Sequence, residues 1–190
     1  MKTVWDSFDI QSAVRRLANH LTSDYLRYEP DVVFLIVLNG AFRFASDLLT
    51  ELPEGWNPKV DFIQTSSYHG STTPGVVDIV REPSINLRNQ HVIVLEDIID
   101  RGHTIHKILD FLALHQVASV TFASLFRRDN RAAYTTKSVL PQGLYPEKVS
   151  IIEMLGVPED TFLVGYGLDF EYRYRGLNSV AAIEFPDDIL

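Results

Sequence analysis

The chain contains no cysteine. That removes disulfides, thiolate metal sites and cysteine nucleophiles in one step. Basic residues are in the minority: 17 Lys and Arg stand against 25 Asp and Glu, a formal net charge of −8. An acidic surface repels polyanions, which argues against a general nucleic-acid surface and against binding to anionic membranes, while leaving room for a local positive pocket. No apolar stretch approaches the roughly 20 residues of a membrane span. The opening Met1-Lys-Thr-Val-Trp-Asp-Ser-Phe-Asp has no apolar signal core, so a cytoplasmic protein is the expectation. The chain carries no Walker A pattern, no G-x-S-x-G and no H-E-x-x-H, and no G-x-G-x-x-G either, since Gly165-Tyr166-Gly167 lacks the third glycine. His103 and His106 lie three apart on a predicted helix, but no third ligand accompanies them, so no zinc site is read.

What remains is ordinary globular composition. With 190 residues, 46% hydrophobic and 22% charged, the chain is expected to form one domain with a real core. Apolar periodicity predicts a helix from Asp9 to Thr22, a continuous strand from Val32 to Leu38 and a crossover helix from Phe42 to Leu49. Lys59 to Gln64 alternates as a strand, Ser66 to Thr73 reads as a mobile polar loop, and Val76 to Val80 suits a hairpin partner. Further strands are predicted at Val92–Leu95, Val120–Phe126, Val149–Ile152 and Phe162–Val164, with a helix over Ile105–Leu114. A polar break is expected at Arg127 to Arg131. Ser179 to Glu184 would close the sheet, and Ala132 to Glu147 is the least readable stretch. Strands alternating with helices argue for an α/β fold with a mainly parallel sheet.

One run carries the chemistry: Val92-Ile-Val-Leu-Glu96-Asp97-Ile98-Ile99-Asp100-Arg101-Gly102-His103-Thr104. Its apolar lead reads as a buried parallel strand, and Thr104 suits the cap of the helix that follows. Three carboxylates are therefore expected at the C-terminal edge of a central strand, where open α/β sheets bind ligands. Crowded acids repel one another and resist desolvation, so a metal ion, ribose hydroxyls or a protonated base nearby would make sense of them. The backbone N–H groups from Arg101 to Thr104 open a helix and form an anion cradle, with Gly102 allowing close approach. Acids beside an anion receptor suit a sugar phosphate. A solvated acidic turn with an ordinary cap is the plain alternative.

The run resembles the 5-phosphoribosyl-1-pyrophosphate (PRPP) signature of type I phosphoribosyltransferases, in the Glu-Asp-Ile-Ile-Asp form of the hypoxanthine-guanine branch. Phe162-Leu-Val-Gly165-Tyr166-Gly167-Leu168-Asp169, followed by Arg175, resembles a second segment of that branch. The resemblance covers about Val32 to Phe185. It implies the type I fold: a central, mainly parallel sheet flanked by helices, with a small hood built from the terminal regions. It also implies transfer of the phosphoribosyl group from PRPP to a 6-oxopurine, with magnesium, by a homodimer or homotetramer.

By the same resemblance, Glu96 and Asp97 meet the ribose hydroxyls. Asp100, Arg101, Gly102, His103 and Thr104 surround the 5-phosphate. Asp100 also lies beside purine N7 as general base, a role that a carboxylate crowded by other acids can fill; a helix cap is its competing, compatible role. Asn39-Gly40 matches a turn that carries an unusual peptide bond against pyrophosphate, and is otherwise a tight turn. Arg175 would meet pyrophosphate. Asp169, with Glu96 and Asp97, would serve magnesium, and Asp169 also borders the purine. Phe162 would stack on the base, and the Leu163 backbone would read its edge. Without their motif, Asp169, Phe162 and Arg175 read as a turn residue, a core residue and a surface cation. Ser67-Tyr68 resembles a lid that excludes water.

Two departures stand out. Where the family usually has a lysine donating to the purine 6-oxo group, this chain has Arg127-Arg128, with Arg128 the nearest match; a flat guanidinium fork is not an ammonium point charge. Arg101 and His103 replace residues that are commonly smaller or lysine. Arg131 could add a contact to pyrophosphate. The Arg128 change leaves the ranking of hypoxanthine, guanine and xanthine open, and it keeps a rival reading alive: a non-catalytic regulator that senses PRPP.

Overall fold

The computed structural model describes residues 1–67, 77–128, 148–157 and 161–183. It begins with strand β1 (Lys2–Trp5) and helix α1 (Ser7–Tyr25). The helix starts before the predicted Asp9 because Asp6 caps it. The Asp6 carboxylate accepts from the N–H groups of Phe8 (2.8 Å) and Asp9 (3.0 Å), and the Asp9 side chain returns to the Asp6 N–H. Apolar periodicity begins only at Ile10, which is why the pattern alone starts the helix late. Ile10, Val14, Leu17 and Leu21 form the buried stripe.

The main sheet has six strands in the order β4-β3-β2-β5-β6-β7. They are β2 (Val32–Leu38), β3 (Lys59–Ser67), β4 (Val77–Arg81), β5 (His91–Ile99), β6 (Ser119–Arg128) and β7 (Lys148–Val157). All neighbours are parallel except β4, which turns back along β3. Helix α2 (Phe42–Thr50) follows β2, and α3 (His103–Leu114) follows β5. Two apolar layers bury the sheet. Phe34, Ile36, Ile93 and Leu95 pack with α1 and α2; Val33, Leu35, Val92 and Val94 pack with α3. That sorting follows strand alternation and explains why β2 and β5 read as unbroken apolar runs.

Four expectations change. Ser66 and Ser67 belong to β3 rather than to a loop. Strand β5 does not stop at Leu95; it carries Glu96 and Asp97 and continues to Ile99, because pairing with β6 persists through Glu96↔Ser124 and Ile99↔Arg127. Arg127 and Arg128 are the end of β6, not the start of a break. Strand β9 (Val180–Ile183) does not close the main sheet. It pairs with β1 and β8 (Phe162–Val164) in a separate antiparallel sheet, order β1-β9-β8. Trp5 stacks on Phe126 at 5.1 Å and fastens this small sheet to the main one. An apolar pattern specifies that a strand is half buried, not which distant strand it joins. Tyr68, Arg131 and the Ala132–Glu147 stretch lie outside the described residues.

Candidate active site

The C-terminal ends of β2 and β5 bring distant segments together. Strand β2 ends in a cis Leu38–Asn39 peptide, and Gly40 follows. A Cβ on Gly40 would lie 1.7 Å from Asp97 Oδ2 and 2.4 Å from its Cγ. Only glycine lets the Asp97 carboxyl rest on that turn. A Cβ on Gly167 would lie 2.1 Å from the Gly40 carbonyl oxygen, and Gly167 has φ +101°. Asn39-Gly40, Asp97 and the Gly165–Leu168 turn thus share one point in space.

Arg175 joins the same cluster. Its Nη1 donates to the Gly167 carbonyl at 2.6 Å, and its Nη2 lies 2.7 Å from Asp169 Oδ1. Asp169 Oδ2 accepts from the Tyr172 N–H at 2.8 Å. Burial pushes the Asp97 carboxyl up to about 6; its own Ile98 N–H bond and Arg175 oppose that rise, and the Asp169 charge adds to it. The sign for stability follows. A carboxyl raised above its unfolded value favours the protonated, folded form, so the stability it contributes falls as pH climbs from about 4 through about 6. Asp97→Asn should therefore melt higher than the parent at pH 8 in metal-free buffer, with the gain shrinking toward pH 4. Thermal melts at both pH values test this; an equal gain at both would show that Asp97 is not a strained carboxylate.

Glu96 belongs to another region. Adjacent strand residues face opposite sides of a sheet. Glu96 lines a cavity of about 210 Å³, together with Val77, Ile98, Ile99, Asp100, Arg101, Gly102, His103, Thr104 and Ile105. It is 8% exposed, and among the described residues its Oε2 has no hydrogen-bond partner. Burial, then the Asp97 charge, raises its pKa well above the ordinary carboxyl range. An orphaned buried oxygen in a cavity is poised to meet a hydroxyl. Helix α3 opens this cavity, and its N-cap is Gly102 with φ 78° and no side-chain cap bond. Thr104 is not the cap, and neither is Asp100. The left-handed turn at Gly102 releases the first helical N–H groups, which a hydroxyl cap would otherwise occupy.

The third region holds Asp100 and Phe162. Arg128 Nε lies 2.8 Å from Asp100 Oδ1, and Arg128 Nη1 donates to the Thr161 carbonyl at 2.7 Å. Asp100 faces a cation here, while the crowding of acids falls on Glu96 and Asp97. Arg128 spans from the carboxylate to the residue before Phe162 instead of standing apart as a free carbonyl reader. Phe162 is 39% exposed and meets Phe170 edge-on at 5.9 Å. A core phenylalanine would be covered; this one is partly exposed. Leu163 beside it is buried. Ser67 ends β3 opposite Val77.

The structure does not gather Glu96, Asp97 and Asp169 into a three-ligand metal cage. Among the described residues no three His, Asp or Glu side chains are so grouped. The alternation of β5 is the reason, since it sends Glu96 to the α3 cavity and Asp97 to Gly40. Residues absent from the sequence reading also contribute. Arg43 Nη1 donates to the Gly176 carbonyl at 2.9 Å and Nη2 to Asn178 Oδ1, while its guanidinium lies 5.3 Å from the Tyr166 ring centre. The Tyr166 hydroxyl donates to Asp47 at 2.7 Å. Burial and that carboxylate push the phenol's pKa up, so it stays a donor. No local pattern signals these contacts, because they join positions more than a hundred residues apart.

A mainly parallel sheet whose strand ends gather Asp97 and Gly40, with a cavity at the start of α3, is the architecture of a phosphoribosyltransferase-type α/β fold. The phosphoribosyl transferase domain matches residues 4–141, and the chain belongs to that family. Its place within the family is the hypoxanthine-guanine branch. The hypoxanthine-guanine-xanthine phosphoribosyltransferase of Tritrichomonas foetus is 32% identical over 185 residues, covering 96% of this chain and 91% of that protein. The hypoxanthine phosphoribosyltransferase of Escherichia coli K12 is 29% identical over 183 residues, 95% of this chain and 93% of its own. The crystal structure of a hypoxanthine-guanine phosphoribosyltransferase from Bacillus anthracis superposes with a TM-score of 0.75 at 31% identity, covering 97% of this chain and 98% of that one. No helix among the described residues is long and apolar enough to cross a membrane.

Proposed function

We propose that this protein transfers the 5-phosphoribosyl group of PRPP to a 6-oxopurine, hypoxanthine or guanine with xanthine as a third candidate, releasing pyrophosphate in purine salvage. One observation carries the reading. Gly40 touches both Asp97 and Gly167 at distances no side chain could share, so the turn, the acid strand and the Arg175 loop form a single receptor.

Each region then has a task. The N–H groups opening α3 bind the 5-phosphate, with Gly102 allowing close approach and Arg101 and His103 at the rim. Glu96, whose buried Oε2 has no partner among the described residues, meets the ribose hydroxyls from the α3 cavity, and Asp97 stands at the Gly40 turn, where the ribose would meet the pyrophosphate. Asn39, Gly40 and Arg175 bind the pyrophosphate. In the transfer, purine N9 bonds to ribose C1, the bond from C1 to the pyrophosphate oxygen breaks, and the proton on purine N7 passes to Asp100. Phe162 stacks on the base. Arg128 holds Asp100 at the mouth of that slot, and its guanidinium edge bears on base choice. A regulator sensing PRPP alone would need the sugar-phosphate cavity only, and the tie of Asp100 through Arg128 to the residue before Phe162 favours a base site beside it.

Asp97 and Asp169 fit a magnesium ion shared with the substrate's phosphates. Two carboxylates close enough for one to raise the other's pKa are what a divalent cation relieves, and magnesium characteristically takes one or two carboxylates plus phosphates and water. When bound there, it would neutralise charge on the departing pyrophosphate.

A spectrophotometric assay with PRPP, magnesium and each nucleobase in turn tests the activity. Nucleotide should form with at least one 6-oxopurine and not with adenine; no product from any 6-oxopurine would end the reading. Phe162→Ala should weaken purine binding by about 1–3 kcal/mol, the usual worth of aromatic stacking on a base, with PRPP affinity kept. Equilibrium binding of the product nucleotide against PRPP measures this, and unchanged nucleotide affinity would rule out stacking.

A further inference from the structure

We propose that Arg43 is a positioning residue for the pyrophosphate end of the site, a role that rests on the transferase reading above and adds a part to it. The receptor there comes from two chain segments that no covalent link holds in register. One is the Asn39-Gly40 turn, which leads directly into α2. The other is the stretch from Gly167 to Arg175. Arg43, in the first turn of α2, reaches across to the far limb of that second segment. Its two terminal nitrogens donate to the Gly176 carbonyl, at 2.9 Å, and to Asn178 Oδ1, immediately beyond Arg175. Its flat face lies over the Tyr166 ring.

The near limb is pinned separately: Gly167 sits on the Gly40 carbonyl, and the Tyr166 hydroxyl donates to Asp47 on α2. Arg43 adds a tie to α2 on the far limb, beyond the backbone bonds that join the two limbs, in which the Tyr166 N–H donates to the Leu177 carbonyl and the Gly167 N–H to the Arg175 carbonyl, each at 3.0 Å. With both in place, Arg175 is held at a fixed distance from Gly40, and its guanidinium stays on Gly167 and Asp169. Without Arg43, those backbone bonds keep the Arg175 limb on the near limb, but Gly176 and Asn178 lose their tie to α2 and the limb shifts against the Asn39-Gly40 turn. A bidentate fork suits this task, because one planar group fixes a backbone carbonyl and a side-chain amide together. Arg43 does not itself touch the substrate, so its effect appears where the anion is held and not where the base is read.

The test uses the full-length protein and magnesium pyrophosphate as the probe. Arg43→Met keeps an apolar stem against Tyr166 and removes both donors. It should weaken pyrophosphate binding by calorimetry about tenfold and raise the KM for PRPP by a similar factor, the scale of one or two lost net hydrogen bonds. The KM for the purine should stay within about twofold. Arg43→Lys, able to reach one acceptor, should recover part of the loss. Asn178→Ala, an exposed change that spares Tyr166, should weaken pyrophosphate binding in the same direction and add little to Arg43→Met. Unchanged pyrophosphate affinity in both single variants, or an equal loss for pyrophosphate and purine, overturns the positioning role. Parent protein that binds pyrophosphate but forms no nucleotide would instead count against the transferase reading and leave the Arg43 result to stand on binding alone.

Discussion

Gly40→Ala is expected to abolish measurable PRPP binding and to cut turnover by at least about a hundredfold while the chain still folds. The added methyl would lie 1.7 Å from Asp97 Oδ2 and 2.4 Å from Cγ, far inside contact distance. Something must move, and neither side is free to do so. Asp97 Oδ1 accepts its own Ile98 N–H at 2.9 Å, and the Asp97 carbonyl accepts the Ser124 hydroxyl at 3.1 Å. The turn cannot retreat the other way, since the Gly40 carbonyl is covered by Gly167. Overpacking of this kind costs about 1–3 kcal/mol, less than a typical domain's stability. The fold survives, and the displaced groups are the ones proposed to bind pyrophosphate and ribose. Adding Asp97→Ala removes the atoms in the way, so the double variant should regain thermal stability relative to Gly40→Ala without regaining turnover. Melting temperature and calorimetric PRPP binding on the four-member cycle check this. A Gly40→Ala protein that binds PRPP like the parent would mean that Asp97 and the turn are not one receptor.

The cycle isolates a contact that is illegible in one dimension. Asn39-Gly40 reads as a turn and Asp97 as an acid on a strand, but nothing in either segment says that they meet. What was legible follows period and punctuation. The buried runs of β2 and β5 and the stripe of α3 are local, and each dictates its own element. The cavity at the start of α3 was also foreseeable, because a glycine between a strand and a helix frees N–H groups. Local signals mislead where a residue has two local uses. Thr104 has the chemistry of a cap, yet Gly102 opens the helix two positions earlier. Glu96 and Asp97 are poor strand formers, yet pairing with β6 overrides that propensity and sends them to opposite faces. Where partnership is long-range, pattern alone is silent. Strand β9 has the same apolar character for either sheet, and Arg43 becomes visible only after folding places it beside Asn178.

Asp100→Asn should lower kcat by about a hundred- to ten-thousandfold, the usual contribution of a positioned general base, while the KM for PRPP changes by less than about threefold. The asparagine is the clean substitution because its oxygen can still accept from Arg128 Nε, which stands 2.8 Å from Asp100 Oδ1. Arg128 keeps its second tie to the Thr161 carbonyl, so the base slot retains its shape. Nor does the change remove a helix cap: α3 starts at Gly102 without a side-chain bond, so the helix and the N–H groups that open it are untouched. Loss of proton acceptance is then the one consequence left, and it bears on the chemical step. Single-turnover rates with PRPP and hypoxanthine, beside calorimetric PRPP binding, separate the two effects. If turnover and PRPP affinity fall by the same factor, Asp100 is a sugar-phosphate ligand and the proton goes elsewhere. If turnover falls alone, the carboxylate held by Arg128 is the group that takes the purine's proton.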